Sequence, residues 1–268
     1  MTRSTAVLAA LLVAGLLAAC GPQPSDGDAS GVTSTTEVAT TTSSTTTTTI
    51  LGVGLPCEVS YDPDHEWWAA GDSVFAGVGW QHRGAPLHIE GLYDRSFAGD
   101  TLVKVPQLPS QPTVRSRLQL IFCNNGRIPK RIVIQAGAAD LFARATWQFR
   151  PEISAYTDTI SAIDSWLEIM GVQQVVWTTI IPTTYWSIHA SQNPTRLDLN
   201  EWMTGAGLDV VDCNAELTDP SGWLRPDLAL GNAIWPPDGA HLNRAGARVH
   251  AGCIIDQLAD PGLTLKVE

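Results

Sequence analysis

Positively charged residues are scarce in this sequence. Lys and Arg together number 16 against 27 Asp and Glu, and the formal net charge is −11. Proteins that bind nucleic acids use clustered basic residues to neutralise phosphates, and the sequence has no such stripe of Lys and Arg. The composition therefore indicates that nucleic acid is not a partner of this protein.

Cysteine is also scarce, and its spacing excludes the usual zinc sites, because no Cys-x-x-Cys motif occurs. We therefore expect neither a metal ion nor another cofactor.

Apart from Cys20, the four cysteines favour two disulfides outside the cytoplasm, with three possible pairings. We pair Cys57 with Cys123, because each precedes a strand and those strands are expected to be neighbours. Cys213 then pairs with Cys253, which joins the fifth strand to the last helix.

Long apolar runs are absent except at the start of the chain. An uncharged apolar run follows Arg3 and extends to Ala19, which is too short to span a bilayer comfortably. Its length is typical of an export signal, and the ending "LAAC" resembles the cleavage site of bacterial lipoprotein precursors. We expect residues 1–19 to be a signal peptide and Cys20 to carry a lipid anchor on the extracytoplasmic face of the cell membrane. A secreted protein without the anchor is the alternative.

The next part of the chain has almost no residues that could be buried. Residues 20–55 are rich in Thr and Ser, and such a composition cannot offset the entropy that is lost on ordering. We expect a disordered tether here, which lets the folded part reach away from the membrane. Residues 56–268 are long enough for one domain, and we expect that domain to be a monomer.

Short apolar runs of β type alternate with helix-compatible stretches in the folded part. Three of the runs are almost continuous in Val, Ile, Trp and Thr, which is typical of parallel strands that are covered on both faces. Repeated β–α units predict one open α/β sheet with five mostly parallel strands. The predicted strands cover residues 66–71, 87–93, 131–137, 173–181 and 208–213.

The spacing of apolar residues also predicts two helices. Residues 151–171 repeat apolar side chains at helical spacing, and residues 244–259 form the last predicted helix.

In open α/β sheets, functional groups gather at the carboxyl ends of the strands. Ser73 lies at the end of the first predicted strand, in "GDSVFAGVGW". This serine is therefore a candidate nucleophile, and a simple tight turn is the alternative.

A serine hydroxyl is a weak nucleophile, and it needs a base within hydrogen-bond reach and a third group that orients the base. The stretch "WPPDGAHLN" supplies such a pair, since Asp238 precedes His241 by three residues just before the last predicted helix. On one loop, the Asp238 carboxylate can hold the imidazole from behind while the other ring nitrogen faces Ser73. The alternative is a helix N-terminus that carries an exposed histidine.

A Gly-Asp-Ser after the first strand and an Asp-x-x-His before the last helix together resemble the SGNH, or GDSL-type, hydrolase family. Gly99 in "RSFAGDTL" matches a further glycine block of that family. The resemblance implies a three-layer, flavodoxin-like α/β fold in which Ser73 is the nucleophile, His241 the general base and acid, and Asp238 its orienting partner. It also implies that the backbone N–H groups of Ser73 and Gly99 bind the oxyanion. No Gly-x-Ser-x-Gly elbow occurs, which argues against an ordinary α/β-hydrolase.

One position departs from the family pattern. The family has Gly-x-Asn-Asp, with the asparagine side chain as an oxyanion donor, but this chain has "GAAD" and Ala139 replaces the asparagine. Loss of one such donor typically costs about 10²–10³ in rate. Either another side chain such as Asn124 or Asn125 supplies the donor, or two backbone donors suffice, or catalysis has been lost. We expect Asp140 to cap a helix that begins at Leu141.

The sequence as a whole predicts an exported serine esterase for small acyl esters, with acetyl groups on cell-envelope glycans as the expected substrate. The alternatives are an acyltransferase to sugar hydroxyls and a glycan- or lipid-binding protein on the same fold. Four tryptophans lie in predicted loops and are candidates to line a sugar- or acyl-binding cleft: Trp80, Trp186, Trp223 and Trp235.

Overall fold

A computed structural model gives the fold of the chain over residues 55–72, 87–95, 100–187, 189–230 and 239–267. The predicted signal peptide, Cys20 and nearly all of the predicted tether lie outside these described residues. Within the described ranges, no helix combines the length and the apolar character that a membrane crossing requires.

Strands and helices alternate along the described chain, as the β–α pattern of the sequence predicts. The strands are β1 (Ser60–Tyr61), β2 (Trp67–Gly71), β3 (Leu87–Glu90), β4 (Leu92–Asp94), β5 (Arg127–Ile128), β6 (Arg131–Gln135), β7 (Gln174–Thr178), β8 (Asp209–Val211) and β9 (Thr264–Val267). The helices are α1 (Val114–Asn125), α2 (Ala138–Trp147), α3 (Ile153–Ile169), α4 (Asn193–Gly205), α5 (Asn214–Leu217) and α6 (Arg244–Leu258), and a short 3₁₀ helix covers Ala190–Gln192.

The central sheet has five strands in the order β4-β2-β6-β7-β8, and every neighbouring pair is parallel. Its register aligns Gly71 with Gln135 and Ile134 with Trp177. Because the strands are parallel, their carboxyl ends meet at one edge, which we call the carboxyl edge. The predicted five-stranded, parallel α/β sheet is thereby confirmed.

Helices cover both faces of this sheet. Alternate side chains of one strand point to opposite faces. Trp68 belongs to an apolar cluster that includes residues of α1, α3 and α4, whereas its neighbour Trp67 belongs to a second cluster that includes residues of α5 and α6. The same division separates Ile132 from Val133. Two apolar clusters therefore enclose the sheet, which explains why the central strands have almost no polar residues and confirms the three-layer architecture.

The strand predicted over residues 87–93 is wrong as a single element. The chain turns at Gly91, and the two halves belong to different sheets. The first half, β3, pairs antiparallel with β9, whereas the second half, β4, forms the edge strand of the central sheet beside β2. The pairing with β9, far away in the chain, is what divides this apolar run.

Two disulfides link elements that are distant in the sequence, and their pairing is the one predicted. Cys57, just before β1, is bonded to Cys123 in α1. Cys213, after β8, is bonded to Cys253 in α6. The bonds span 66 and 40 residues. In a simple polymer estimate, each bond lowers the entropy of the unfolded chain and thereby raises its free energy by about 4 kcal/mol.

His250 is fully buried on the face of α6 that meets the sheet, between Ala247 and Ile254. Burial lowers the pKa of its imidazole to about 4. The ring is therefore neutral at neutral pH, although an exposed histidine would begin to charge below a pH of about 6.5.

The titration of His250 should reduce stability in acid. The unfolded chain binds a proton at this residue below its ordinary pKa of 6.5, whereas the folded chain resists protonation down to about 4. The stabilisation is complete above 6.5 and is lost as the pH falls toward 4, by up to about 3 kcal/mol. Urea unfolding in mild acid and at neutral pH should show this extra slope in the wild-type chain and not in His250→Leu. An identical slope in both chains would contradict the assignment.

Candidate active site

Of the residues predicted to act in catalysis, the structure describes His241. Ser73, Gly99 and Asp238 lie outside the described residues. The Ser-His-Asp triad and the two backbone oxyanion donors therefore stay predictions. Residues next to each of them in the chain are described, and they define the surroundings of the site.

Gly71, the last residue of β2, lies closer to β6 than any side chain would allow. Its φ is +152°, and a Cβ atom here would lie 1.9 Å from the carbonyl oxygen of Gln135. The next N–H, that of Asp72, donates to the same carbonyl oxygen at 3.0 Å. Close strand packing therefore requires the glycine of the Gly-Asp-Ser motif.

Asp72 binds the first turn of α2. Its carboxylate is fully buried and accepts hydrogen bonds from the backbone N–H groups of Ala138 at 2.9 Å and Ala139 at 3.3 Å. The helix has no capping side chain of its own, because its N-cap residue is Gly137. An acidic group at a helix N-terminus satisfies N–H groups that have no partner within the helix. Asp72 thereby fixes the residue before Ser73 against α2.

Asp140 does not cap a helix that begins at Leu141, and that prediction is wrong. The helix α2 already begins at Ala138, so that Asp140 lies within its first turn. Its buried carboxylate instead accepts hydrogen bonds from the N–H groups of Leu102 at 2.7 Å and Val103 at 3.1 Å. These donors precede Asp140 by 38 and 37 residues, a separation that a local capping pattern does not reveal.

Residues 100–103, which directly follow Gly99 in the chain, are held on two sides. Asp100 forms a two-point ion pair with Arg117 of α1, with Nε–Oδ2 at 3.0 Å and Nη2–Oδ1 at 3.2 Å. Asp140 binds the N–H groups of the last two residues of the segment. The chain that leaves the predicted oxyanion glycine is therefore anchored to both α1 and α2.

Burial raises the pKa of Asp140 to about 7. The negative charge of Asp72 acts in the same direction, whereas the hydrogen bonds from Leu102 and Val103 oppose it. Burial, together with the charge of Asp140, also raises the pKa of Tyr156 to about 12. Asp140 therefore exchanges its proton near neutral pH, where ordinary carboxyl groups are fully ionised.

Ala139 provides no side-chain donor, and the two asparagines considered as substitutes lie elsewhere. The N–H of Ala139 donates to Asp72, and its side chain is a methyl group. Asn124 and Asn125 lie at the C-terminal end of α1. The next residue, Gly126, accepts a hydrogen bond at the start of β1, at the end of the domain opposite to the carboxyl edge. These asparagines therefore do not replace the missing donor.

The segment that carries His241 is fixed through its backbone. The His241 carbonyl oxygen accepts a hydrogen bond from the N–H of Leu230 at 2.7 Å. Two residues later, the side chain of Asn243 caps α6. On the other side, the Gly239 carbonyl oxygen accepts a hydrogen bond from Thr184 at 2.7 Å, in the loop after β7. His241 thus lies just before the last helix, on a segment that contacts the carboxyl edge.

Solved structures share this fold at low sequence identity. A GDSL-like lipase of Bacteroides thetaiotaomicron matches with a TM-score of 0.50 and 14% identity, over 72% of this chain and 87% of that chain. Catalytic mutants of Axe2, an acetylxylan esterase of Geobacillus stearothermophilus, match with a TM-score of 0.50 and 13% identity, over 74% of this chain and 96% of those chains. The fold is that of the GDSL-like hydrolases.

The same fold occurs in a protein that is not named as an enzyme. The OSK domain of Drosophila Oskar matches with a TM-score of 0.51 and 14% identity, over 75% of this chain and 92% of that chain. No protein-family model and no curated protein sequence matches the chain. At these identities the comparisons establish the fold, and the activity has to be argued from the site.

Two acidic residues at this edge have roles that the sequence pattern did not predict: no role was expected for Asp72, and a different one was expected for Asp140. The signal that could have found them is their position, since both acids follow the end of a buried strand within a few residues. In the described part of the chain, no group of three or more His, Cys, Asp or Glu side chains could hold a metal ion.

Replacing Asp140 by Asn should loosen residues 100–103. The carboxyl group, ionised or protonated, offers an acceptor oxygen to each N–H, whereas the amide offers one oxygen and turns its NH₂ toward the other N–H, at a cost of about 1–3 kcal/mol. We expect faster amide exchange in this segment, measured by hydrogen-exchange mass spectrometry. The control is Asp158→Asn at an exposed position of α3. Unchanged exchange in Asp140→Asn would contradict the assigned contact.

The destabilisation by Asp140→Asn should also depend on pH. The pKa of Asp140 is about 7 in the folded chain against an ordinary 3.8, so the folded state holds the proton more tightly. The contribution of Asp140 to the free energy of unfolding therefore falls as the pH rises from about 4 to 7. Asparagine does not titrate, and so the loss should be larger in mild acid than above pH 7. Urea unfolding at both pH values checks this sign.

Proposed function

We propose that the chain is an extracytoplasmic serine esterase that hydrolyses small acyl esters. The observation that carries the proposal is that the Gly-Asp end of β2 and the His241 segment both adjoin the carboxyl edge of one sheet, on the fold of the GDSL-like hydrolases. The solved mutants of the acetylxylan esterase replace an aspartate or a serine by alanine. These are the residue types that we assign here to Asp238 and Ser73.

The proposed reaction passes through an acyl-enzyme. Ser73 attacks the ester carbonyl carbon through Oγ, while His241 accepts the hydroxyl proton and Asp238 orients the imidazole. The bond to the alcohol oxygen breaks as His241 returns the proton to that oxygen, which leaves the acyl group on Ser73. Water, deprotonated by His241, then releases the carboxylic acid. If a sugar hydroxyl replaces the water, the same triad performs acyl transfer, which is the alternative activity.

The oxyanion of each tetrahedral intermediate is bound by the N–H groups of Ser73 and Gly99 in this proposal. Ala139 adds no third donor, since its N–H already donates to Asp72. Because one missing donor typically costs about 10²–10³ in rate, a small or activated acyl ester is the substrate that the site supports best. The same deficit favours the second candidate function, a glycan- or lipid-binding protein without catalysis.

Export to the cell envelope is part of the proposal. Residues 1–19 direct export, Cys20 carries the lipid anchor, and residues 20–55 tether the catalytic domain. The two disulfides support a compartment outside the reducing cytosol. Acetylated glycans of the envelope are esters within reach of a tethered domain, and we propose them as the substrate class.

Labelling with a fluorophosphonate probe tests the nucleophile. We expect the wild-type chain to be labelled and to hydrolyse p-nitrophenyl acetate, and we expect Ser73→Ala and His241→Ala to lose activity by about 10³-fold or more. Ser154→Ala changes an exposed serine in α3 and should retain both properties. A wild-type chain with neither labelling nor turnover would favour the binding protein.

Ala139→Asn tests the missing donor. If two backbone donors act alone, an asparagine in the first turn of α2 should raise kcat for p-nitrophenyl acetate by about tenfold or more. Ala139→Leu adds a side chain of similar size without a donor, so it controls for packing. Equal rates for wild type and Ala139→Asn would mean that another group already supplies the third hydrogen bond.

A further inference from the structure

The loop after β7 carries an aromatic pair at its tip. Thr184 and Ser187 close a turn through a hydrogen bond from the Ser187 N–H to the Thr184 carbonyl oxygen at 3.1 Å. The two central residues are Tyr185 and Trp186, whose rings meet edge to face with 4.9 Å between their centroids. Tyr185 is 66% exposed, and Trp186 is half-buried. The turn therefore presents the ring of Tyr185 to solvent, with Trp186 beside it.

The turn is fixed against the segment that leads to His241. Thr184 is fully buried, and its N–H donates to the Gly239 carbonyl oxygen at 2.7 Å. The approach is so close that a Cβ atom on Gly239 would lie 2.1 Å from Thr184 Oγ1. Gly239 precedes His241 by two residues. A direct backbone contact therefore holds the aromatic pair beside the His241 segment.

A further tryptophan adjoins the same loop. The N–H of Leu224 donates to the Thr183 carbonyl oxygen at 3.0 Å, and the half-buried Trp223 directly precedes Leu224. Trp186 and Trp223, two of the four loop tryptophans noted in the sequence, thus lie on segments that contact each other. The other two, Trp80 and Trp235, lie outside the described residues.

The exposed apolar residues of the described chain and its net charge do not favour a lipid or an anion as the ligand of the pair. Besides Tyr185, the large apolar side chains that are exposed in the described residues lie on helices: Leu120, Ile169 and Leu197. A lipid surface or a long acyl chain needs contiguous apolar area, which one exposed tyrosine does not provide. A formal net charge of −11 disfavours an anionic ligand.

A neutral sugar matches the chemistry of the pair. A pyranose ring presents C–H groups on its faces and hydroxyl groups around its rim, so that an aromatic ring can stack on it while polar atoms bind the rim. Tyr185 provides an exposed ring with a hydroxyl group. The indole N–H of Trp186 has no hydrogen-bond partner among the described residues, and a buried donor of this kind favours an acceptor from a ligand.

We infer that Tyr185 and Trp186 form a subsite for a neutral pyranose chain at the rim of the proposed esterase site. Tyr185 stacks on one sugar ring, and the turn holds that ring beside the segment that carries His241, the proposed general base. The hydrolysis of an acyl ester on the bound glycan rests on the proposed function, whereas the binding of the sugar does not.

Calorimetric titration of the full-length chain tests the subsite, with Ser73→Ala as background and xylotetraose and chitotetraose as probes. We expect at least one probe to bind and Tyr185→Ala to weaken it by about tenfold or more. Tyr185→Phe keeps the ring and should retain most of the affinity. Leu197→Ala removes an exposed apolar side chain from α4 and should change nothing. Failure of both probes to bind, or equal affinity in Tyr185→Ala, would overturn the inference.

Kinetics distinguish a failure of the subsite from a failure of the esterase. With O-acetylated xylotetraose, Tyr185→Ala should raise KM more than it lowers kcat, and the loss should exceed that for p-nitrophenyl acetate, which has no sugar ring. Sugar binding that depends on Tyr185 in a chain that hydrolyses neither ester would support the subsite and refute the esterase. Hydrolysis that depends on Ser73 without such binding would support the esterase and refute the subsite.

Discussion

Two buried carboxylates, those of Asp72 and Asp140, are the constraint on which the carboxyl edge depends. Asp72 joins the end of β2 to α2, and Asp140 joins α2 to residues 100–103. Each carboxylate binds two backbone N–H groups, so that removal of either leaves buried donors without acceptors. Three stretches of chain are fixed in this way: one leads into the predicted nucleophile, one leaves the predicted oxyanion glycine, and one contains the unusual alanine.

Elements with a strong local pattern were predictable from the sequence. The strands β6 and β7 and the helix α3 lie within two or three residues of their predicted bounds, because continuous apolar runs and helical spacing are properties of a short window. The run 87–93 is different, since its division depends on β9, and the side chains of Glu90 and Thr264 that meet there are 174 residues apart in the chain. A short window contains no information about such a partner.

The candidate site was predictable where its residues are neighbours of strand and helix ends. His241 precedes the last helix as the motif predicts, and Gly71 ends the strand that leads to Ser73. The role of Asp140 was not predictable, because its donors lie in another loop. The predicted pattern of strands and helices placed Trp186 in a loop, but the hydrogen bond between Thr184 and Gly239 is needed to show which segment that loop adjoins.

The capping of α2 by Asp72 has a consequence for the order of folding. Asp72 and Ala138 are 66 residues apart, and the N-cap glycine offers no side chain of its own. A helix of 10 residues is too short to be stable in isolation. We therefore expect α2 to form only when β2 docks beside β6, so that the turn with Ala139 and Asp140 takes shape in the same cooperative, long-range step as the sheet.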